Sequence, residues 1–221
     1  MATLYGIGVG PGDKELITVK AVRVIENSDV IVAPSAMEGG TSIALETVRE
    51  YIKEGTEVVV KQFPMGGKNQ EAKIKEAYDF IEQRLREGKN VCFLTIGDPF
   101  VYSTYIYLLN NIKEKHFNVE TVPGITSFCA AASIVERTLV IGDNRLTILP
   151  ASKVKEITDE KYVVIMKVYK REEEVLDILE SKGFDYIYVS RAGREGQLTL
   201  TDREEILKCR EYMSLILASK E

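Results

Sequence analysis

Three short segments carry the residues whose types and spacing could do chemistry. They are Gly8-Val9-Gly10-Pro11-Gly12-Asp13, Ile96-Gly97-Asp98-Pro99-Phe100-Val101-Tyr102 and Val122-Pro123-Gly124-Ile125-Thr126-Ser127. Each sets glycine after an apolar run and before a helical pattern, which is how α/β proteins bring backbone close to a ligand. The first segment, led in by Gly6, is not a dinucleotide fingerprint. Counting from Gly6 the sixth position is Pro11, and counting from Gly8 it is Asp13. It is not a Walker A loop either, because Asp13 follows Gly12 where that motif needs lysine, and a carboxylate there repels phosphate. The ligand implied is therefore not a pyrophosphate. Taken singly, each segment also reads as a plain strand-to-helix turn; their joint occurrence at strand ends points to a ligand site.

Asp98 is the acidic residue between an apolar strand and a helix. It reads either as a helix cap or as the group that holds a ligand hydroxyl or amine. The second half of the chain adds Val164-Ile165-Met166-Lys167 and Ser190-Arg191-Ala192-Gly193-Arg194. Backbone-rich loops with a few arginines nearby suit an adenosine group together with an acidic second ligand.

Composition narrows the chemistry. His116 is the only histidine, set among Lys113, Glu114, Lys115 and Phe117 at a polar helix end, so neither a Ser-His-Asp hydrolase nor a histidine-bound metal is expected. Cys92, Cys129 and Cys209 lie far apart, with no disulfide framework and no metal-binding spacing. Cys92 and Cys129 read as small core residues from their apolar contexts. The net charge is −5, which argues against nucleic-acid binding. No apolar run approaches a membrane span and the start lacks a basic-then-apolar signal, so a cytoplasmic protein without a membrane partner is expected.

The elements that must position these loops follow from periodicity. Strands are expected at 3–9, 29–33, 57–63, 91–96 and 119–122, with helices at 15–27, 42–51, 71–86, 102–112 and 126–135. Asp13 is the expected cap of the first helix, and Gly88 the stop of the third. This alternation predicts a mostly parallel sheet with helices on both faces. The rhythm changes after Gly142, where strands are expected at 146–149, 162–168, 186–190, 197–200 and 214–219, and helices at 171–182 and 202–209. The fold class is α/β, with an N-terminal domain at 1–122 and a C-terminal α/β domain at 123–221.

Gly10-Pro11-Gly12-Asp13, Gly97-Asp98-Pro99 and Pro123-Gly124-Ile125-Thr126-Ser127 together resemble the tetrapyrrole methyltransferase family, in the right order and over essentially the whole chain. Phe63-Pro64-Met65, Leu94-Thr95-Ile96, Tyr102-Ser103-Thr104-Tyr105 and Tyr212-Met213-Ser214-Leu215-Ile216-Leu217 resemble the branch that methylates C-20 of precorrin-2 or cobalt-factor II in cobalamin biosynthesis. Ile96 and Tyr102-Ser103-Thr104 depart from the uroporphyrinogen pattern. The resemblance implies two α/β domains with S-adenosylmethionine in the cleft between them, a homodimer, and S-adenosylhomocysteine as product. It implies cofactor contacts at Pro11, Gly97, Asp98, Val101, Thr126, Ser127, Met166 and Ala192. A macrocycle with many carboxylates calls for cations; Lys68, Lys167, Arg191 and Arg194 are candidates, and Tyr102, Ser103 and Thr104 are candidates for orienting the substrate. No residue is assigned as the base, and no metal ligand is expected. The alternatives are another tetrapyrrole methylase, acting on uroporphyrinogen III or a later precorrin, the related diphthine synthase, and a non-catalytic protein that binds an adenosine ligand.

Overall fold

The computed structural model describes residues 2–35, 39–63 and 70–221. The chain divides into two compact units, Met1–Thr126 and Ser127–Glu221. The boundary expected at 122/123 lies at the start of the third glycine loop, whereas this division lies at its end, between Thr126 and Ser127.

The first unit runs β1 (Thr3–Gly8), α1 (Val19–Glu26), β2 (Val30–Ser35), α2 (Ile43–Val48), β3 (Glu57–Gln62), α3 (Gln70–Arg86), β4 (Val91–Thr95), α4 (Tyr105–Glu114) and β5 (Asn118–Val122). Its sheet has the order β3-β2-β4-β1-β5, and every pairing is parallel. Side chains alternate across the pleat. Leu4, Val30, Val32, Val91 and Phe93 pack with α3 and α4, while Ile7, Ile31, Ala33, Cys92 and Leu94 pack with α1 and α2. Each of the Val, Leu, Ile and Phe side chains among these, taken fully out of water, contributes roughly 1.5–3 kcal/mol. Helix α3 ends where Gly88 takes a φ of +83°, with Gly88 N–H on the Leu85 carbonyl and Lys89 N–H on that of Arg84, a glycine C-cap of the Schellman kind.

The second unit runs α5 (Ser127–Ile134), β6 (Leu146–Pro150), β7 (Tyr162–Met166), α6 (Glu172–Ser181), β8 (Asp185–Ser190), β9 (Leu198–Leu200), α7 (Arg203–Lys208) and β10 (Ser214–Ser219). Its sheet has the order β6-β7-β10-β8-β9. Only β6 and β7 pair in parallel; β10 lies antiparallel to both β7 and β8, and β9 antiparallel to β8. Val163, Ile165, Tyr188, Ile216 and Ala218 pack against Val175, Leu176 and Leu179 of α6 and Ile206 of α7. Among the described residues, no helix is long and apolar enough to cross a membrane.

Four expectations need correction. The helix expected over 15–27 is broken: Asp13 caps a short 3-10 turn, Lys14–Leu16, and α1 starts only after Thr18, whose hydroxyl accepts the Ala21 N–H at 3.2 Å. A second capping side chain offered the backbone a partner outside the helix, and the chain took it. The helix expected from Tyr102 starts at Tyr105, because Tyr102 has a φ of +51° and Ser103 Oγ accepts the Tyr105 N–H at 3.1 Å. Thr104, not Asp98, is the cap residue of α4. Cys129 is exposed, whereas Cys92 is buried as expected. In α5 the buried residues are Phe128, Ala130, Ala131 and Ala132, and Cys129 shares its outward stripe with exposed Ser133, four residues on. Pro64, Met65 and Lys68 lie outside the described residues.

Candidate functional site

The three glycine loops leave three neighbouring strands of the first unit. β1 lies between β4 and β5, with Ile7 beside Leu94 on one side and Val122 on the other. All three strands are parallel and end level, so the loops rise from one edge of the sheet. The chain reverses its order here: β1 connects to β2 on one side, and β4 connects to β5 across β1. Such a switch point is where open parallel sheets bind ligands.

The loops are fastened to one another through backbone. Gly10 and Gly97 form an isolated antiparallel bridge, with Gly97 N–H on the Gly10 carbonyl at 2.6 Å and Gly10 N–H on the Gly97 carbonyl at 3.3 Å. Both glycines have positive φ, +77° and +74°. The closest approach is at Gly8 and Gly124. A Cβ added to Gly124 would stand 2.2 Å from the Gly97 carbonyl oxygen, and one added to Gly8 would stand 2.5 Å from the Gly124 nitrogen. Neither space can hold a side chain. A Cβ on Gly97 would meet nothing within 4 Å, so the junction is closed inside and open along this loop. Pro11 is buried in the first loop, between Gly10 and Gly12.

Asp98 joins the second loop to the third. Its Oδ1 accepts the Phe100 N–H at 2.8 Å and its Oδ2 accepts the Gly124 N–H at 3.0 Å. Val101 is half-buried and closes the same turn, its N–H on the Asp98 carbonyl at 3.2 Å. Tyr102 follows in the left-handed region, a conformation that costs a non-glycine residue roughly 1–2 kcal/mol. Thr126 is half-buried at the end of the unit.

Gly6 has a purpose that sequence reading missed. A Cβ there would lie 2.0 Å from the ring of Tyr105, so the glycine makes room for that ring on the sheet. Tyr105 is fully buried, stacks on Phe93 at 6.0 Å between centroids, and shares a 2.8 Å hydrogen bond with the Thr121 hydroxyl. Burial pushes its phenol above the ordinary value. The first glycine of the opening motif therefore serves packing, and the signal for it, an aromatic on a helix far along the chain, is nonlocal.

In the second unit, Ser127 is the first residue of α5 and Met166 the last of β7, both half-buried. Lys167 follows Met166 with a φ of +58°. Ala192 is buried between Arg191, at a φ of +49°, and Gly193. Arg191 Nε donates to Oε2 of Glu211 at 2.7 Å, and its N–H to the Met213 carbonyl at 2.9 Å. Sequence reading did not name Glu211. Burial would raise its carboxyl, but the Met213 N–H and the Arg191 guanidinium outweigh that and hold it below the usual range. Thus Val101, Met166 and Ala192 each adjoin a non-glycine residue in a left-handed conformation.

A family model described as Tetrapyrrole (Corrin/Porphyrin) Methylases matches residues 3–207. The chain belongs to the tetrapyrrole methylases. A probable cobalt-precorrin-2 C(20)-methyltransferase of Methanocaldococcus jannaschii is 35% identical, covering 98% of this chain and 96% of that protein. A cobalt-precorrin-2 C(20)-methyltransferase of Salmonella typhimurium is 34% identical, covering 99% and 96%. Among solved structures, a uroporphyrin-III C-methyl transferase from Thermus thermophilus complexed with S-adenyl homocysteine superposes with a TM-score of 0.76 at 20% identity, over 99% of this chain and 98% of that one. Both sheets are thus those of a tetrapyrrole methylase, and the family named from the three loops is the family to which the chain belongs.

Proposed function

We propose that this tetrapyrrole methylase transfers a methyl group from S-adenosylmethionine to C-20 of precorrin-2 in cobalamin biosynthesis, with the cobalt-loaded macrocycle as substrate. The observation that carries this reading is the likeness, over nearly the full length of both chains, to two proteins named for that reaction.

The first unit fits the cofactor. Its loop edge is lined by backbone and by buried Pro11, with open space at Gly97 and the Asp98 carboxylate held by two amides, a surface that offers shape and hydrogen bonds. We assign Pro11, Gly97, Asp98, Val101 and Thr126 of the first unit, and Ser127, Met166 and Ala192 of the second, to cofactor binding. When bound, the cofactor supplies a methyl group on a sulfonium, already activated for direct displacement. The work left to the chain is to hold the acceptor carbon in line with that methyl, within roughly 3–3.5 Å, and to keep the approach fixed. That task needs rigid loops more than acid-base groups, in keeping with a chain whose one histidine lies on an exposed turn after α4. The proton on C-20 leaves once the new carbon–carbon bond has formed; no side chain is assigned to receive it. Tyr102, Ser103, Thr104, Arg191 and Arg194 are assigned to the substrate. The chain is further proposed to be a cytoplasmic homodimer, with no nucleic-acid or membrane partner.

The test is incubation of the purified protein with methyl-labelled S-adenosylmethionine and either metal-free or cobalt-loaded precorrin-2, followed by mass and carbon NMR analysis. One label at C-20, formed faster with cobalt present, is expected. Methylation at another carbon, or none with either macrocycle, would overturn the reading.

A further inference from the structure

In the second unit, the segment after β8 brings together two arginines that are treated very differently. The N–H of Arg194 donates to the Arg191 carbonyl at 2.9 Å, and this turn sets the two guanidinium groups close enough for their charges to oppose one another. Arg191 has its counter-charge: Nε lies 2.7 Å from Glu211 Oε2. Arg194 has no such pair among the described residues. Its Nη1 is buried and makes no hydrogen bond. A guanidinium has five N–H donors and no acceptor, and it does not shed its charge at any ordinary pH. A buried donor without an acceptor is an unpaired cost, and larger when the group is charged. Burial and the charge of Arg191 both act against the Arg194 cation, and Glu211 offsets them only in part. A neutral side chain would pack there without that cost, so stability does not account for the arginine.

We propose that Arg194 is the receptor for a ligand carboxylate, held in place by the Arg191–Glu211 pair. A ligand carboxylate on this guanidinium supplies the counter-charge that Arg194 lacks, through charge-assisted hydrogen bonds. On the functional reading above, on which this inference rests for the identity of the ligand, that carboxylate is a peripheral acid group of the macrocycle. Glu211 is a positioning residue: its carboxylate occupies Nε of Arg191 and leaves Arg194 as the cation without a counter-charge.

The test compares wild type with Arg194→Ala and Arg194→Lys, using cobalt-loaded precorrin-2 and the same macrocycle with its side-chain carboxylates converted to neutral methyl amides. Binding is read by absorbance titration, which needs no turnover, alongside KM, kcat and S-adenosylhomocysteine affinity. Arg194→Ala is expected to weaken acid-macrocycle binding by about tenfold to a hundredfold, to raise KM in parallel, and to leave kcat and S-adenosylhomocysteine affinity nearly unchanged. Lysine should restore part of the loss. For the neutral amide macrocycle, wild type and Arg194→Ala should bind alike. Arg194→Gln, which keeps donors but drops the charge, replaces the alanine variant if that variant does not fold. Unchanged acid-macrocycle affinity, or an equal loss for the amide form, would overturn the proposal. A wild type that binds the macrocycle but does not methylate it would overturn the functional reading alone, and the titration would still decide Arg194.

Discussion

The carboxylate of Asp98 accepts the backbone N–H of Gly124 at 3.0 Å, tying the loop after β4 to the loop after β5 across the end of β1. Its other oxygen holds the Phe100 N–H at 2.8 Å. One side chain thus fastens the second loop to itself and to the third.

Asp98→Ala should therefore lower S-adenosylhomocysteine affinity more than it lowers global stability. Each lost bond to a charged acceptor is worth roughly 1.5–3 kcal/mol, and the loops it holds lie at the sheet edge, outside the cores. An asparagine side chain keeps one acceptor oxygen, so Asp98→Asn should fall between wild type and the alanine variant. Calorimetry for binding and hydrogen exchange at the Gly124 and Phe100 amides would check this; faster exchange at both is expected, and wild-type affinity in the alanine variant would contradict it.

Alanine at Gly124 and at Gly97 should have unequal consequences. At Gly97 the added methyl meets nothing within 4 Å, and the cost is the left-handed backbone alone, about 1–2 kcal/mol. At Gly124 it would stand 2.2 Å from the Gly97 carbonyl oxygen, and neither loop can yield without breaking the junction. Urea unfolding should rank Gly124→Ala as the more damaging, by about 1–3 kcal/mol or more in its own right. The reverse ranking would mean that the loops part freely.

Tyr105→Phe removes one hydroxyl from a fully buried ring and leaves the Thr121 hydroxyl without that partner. Stability should fall by about 0.5–1.5 kcal/mol with cofactor affinity unchanged. Thermal melts and a binding titration on the same sample separate the two effects.

Glu211, held by the Met213 N–H and the Arg191 guanidinium, gives a pH dependence of known sign. The folded-state carboxyl of Glu211 is held below the ordinary glutamate value of 4.5, so its contribution to stability is present above that value and is lost as the pH falls through the lower, folded one. Glu211→Gln should therefore be less stable than wild type near neutrality, and the difference should shrink as the pH is lowered below 4.5. Melting temperatures of both proteins from about pH 7 to about pH 3 would test it, a range that spans the ordinary carboxylate titration; a gap that widens on acidification would contradict the assignment.

Much of this protein is set by neighbours in sequence. The apolar period of residues 71–86 and the glycine at 88 define α3 nearly to its ends, and the three glycine segments mark the turns that follow β1, β4 and β5, because propensity, capping and turn chemistry act over a few residues. Local signals also misled where two caps competed, as Asp13 and Thr18 did, and where Tyr102 left the helical region despite a helical pattern around it. The order β3-β2-β4-β1-β5, which sets the three loops side by side, was a matter for the tertiary structure. So were the antiparallel placement of β10, the seat that Gly6 makes for Tyr105, the crossing of Asp98 to Gly124, and the unequal pairing of Arg191 and Arg194. Each depends on residues tens of positions apart meeting in space, or on which of two like side chains finds a counter-charge. Packing and hydrogen-bond satisfaction decide such matters, and they act on distances through space rather than along the chain.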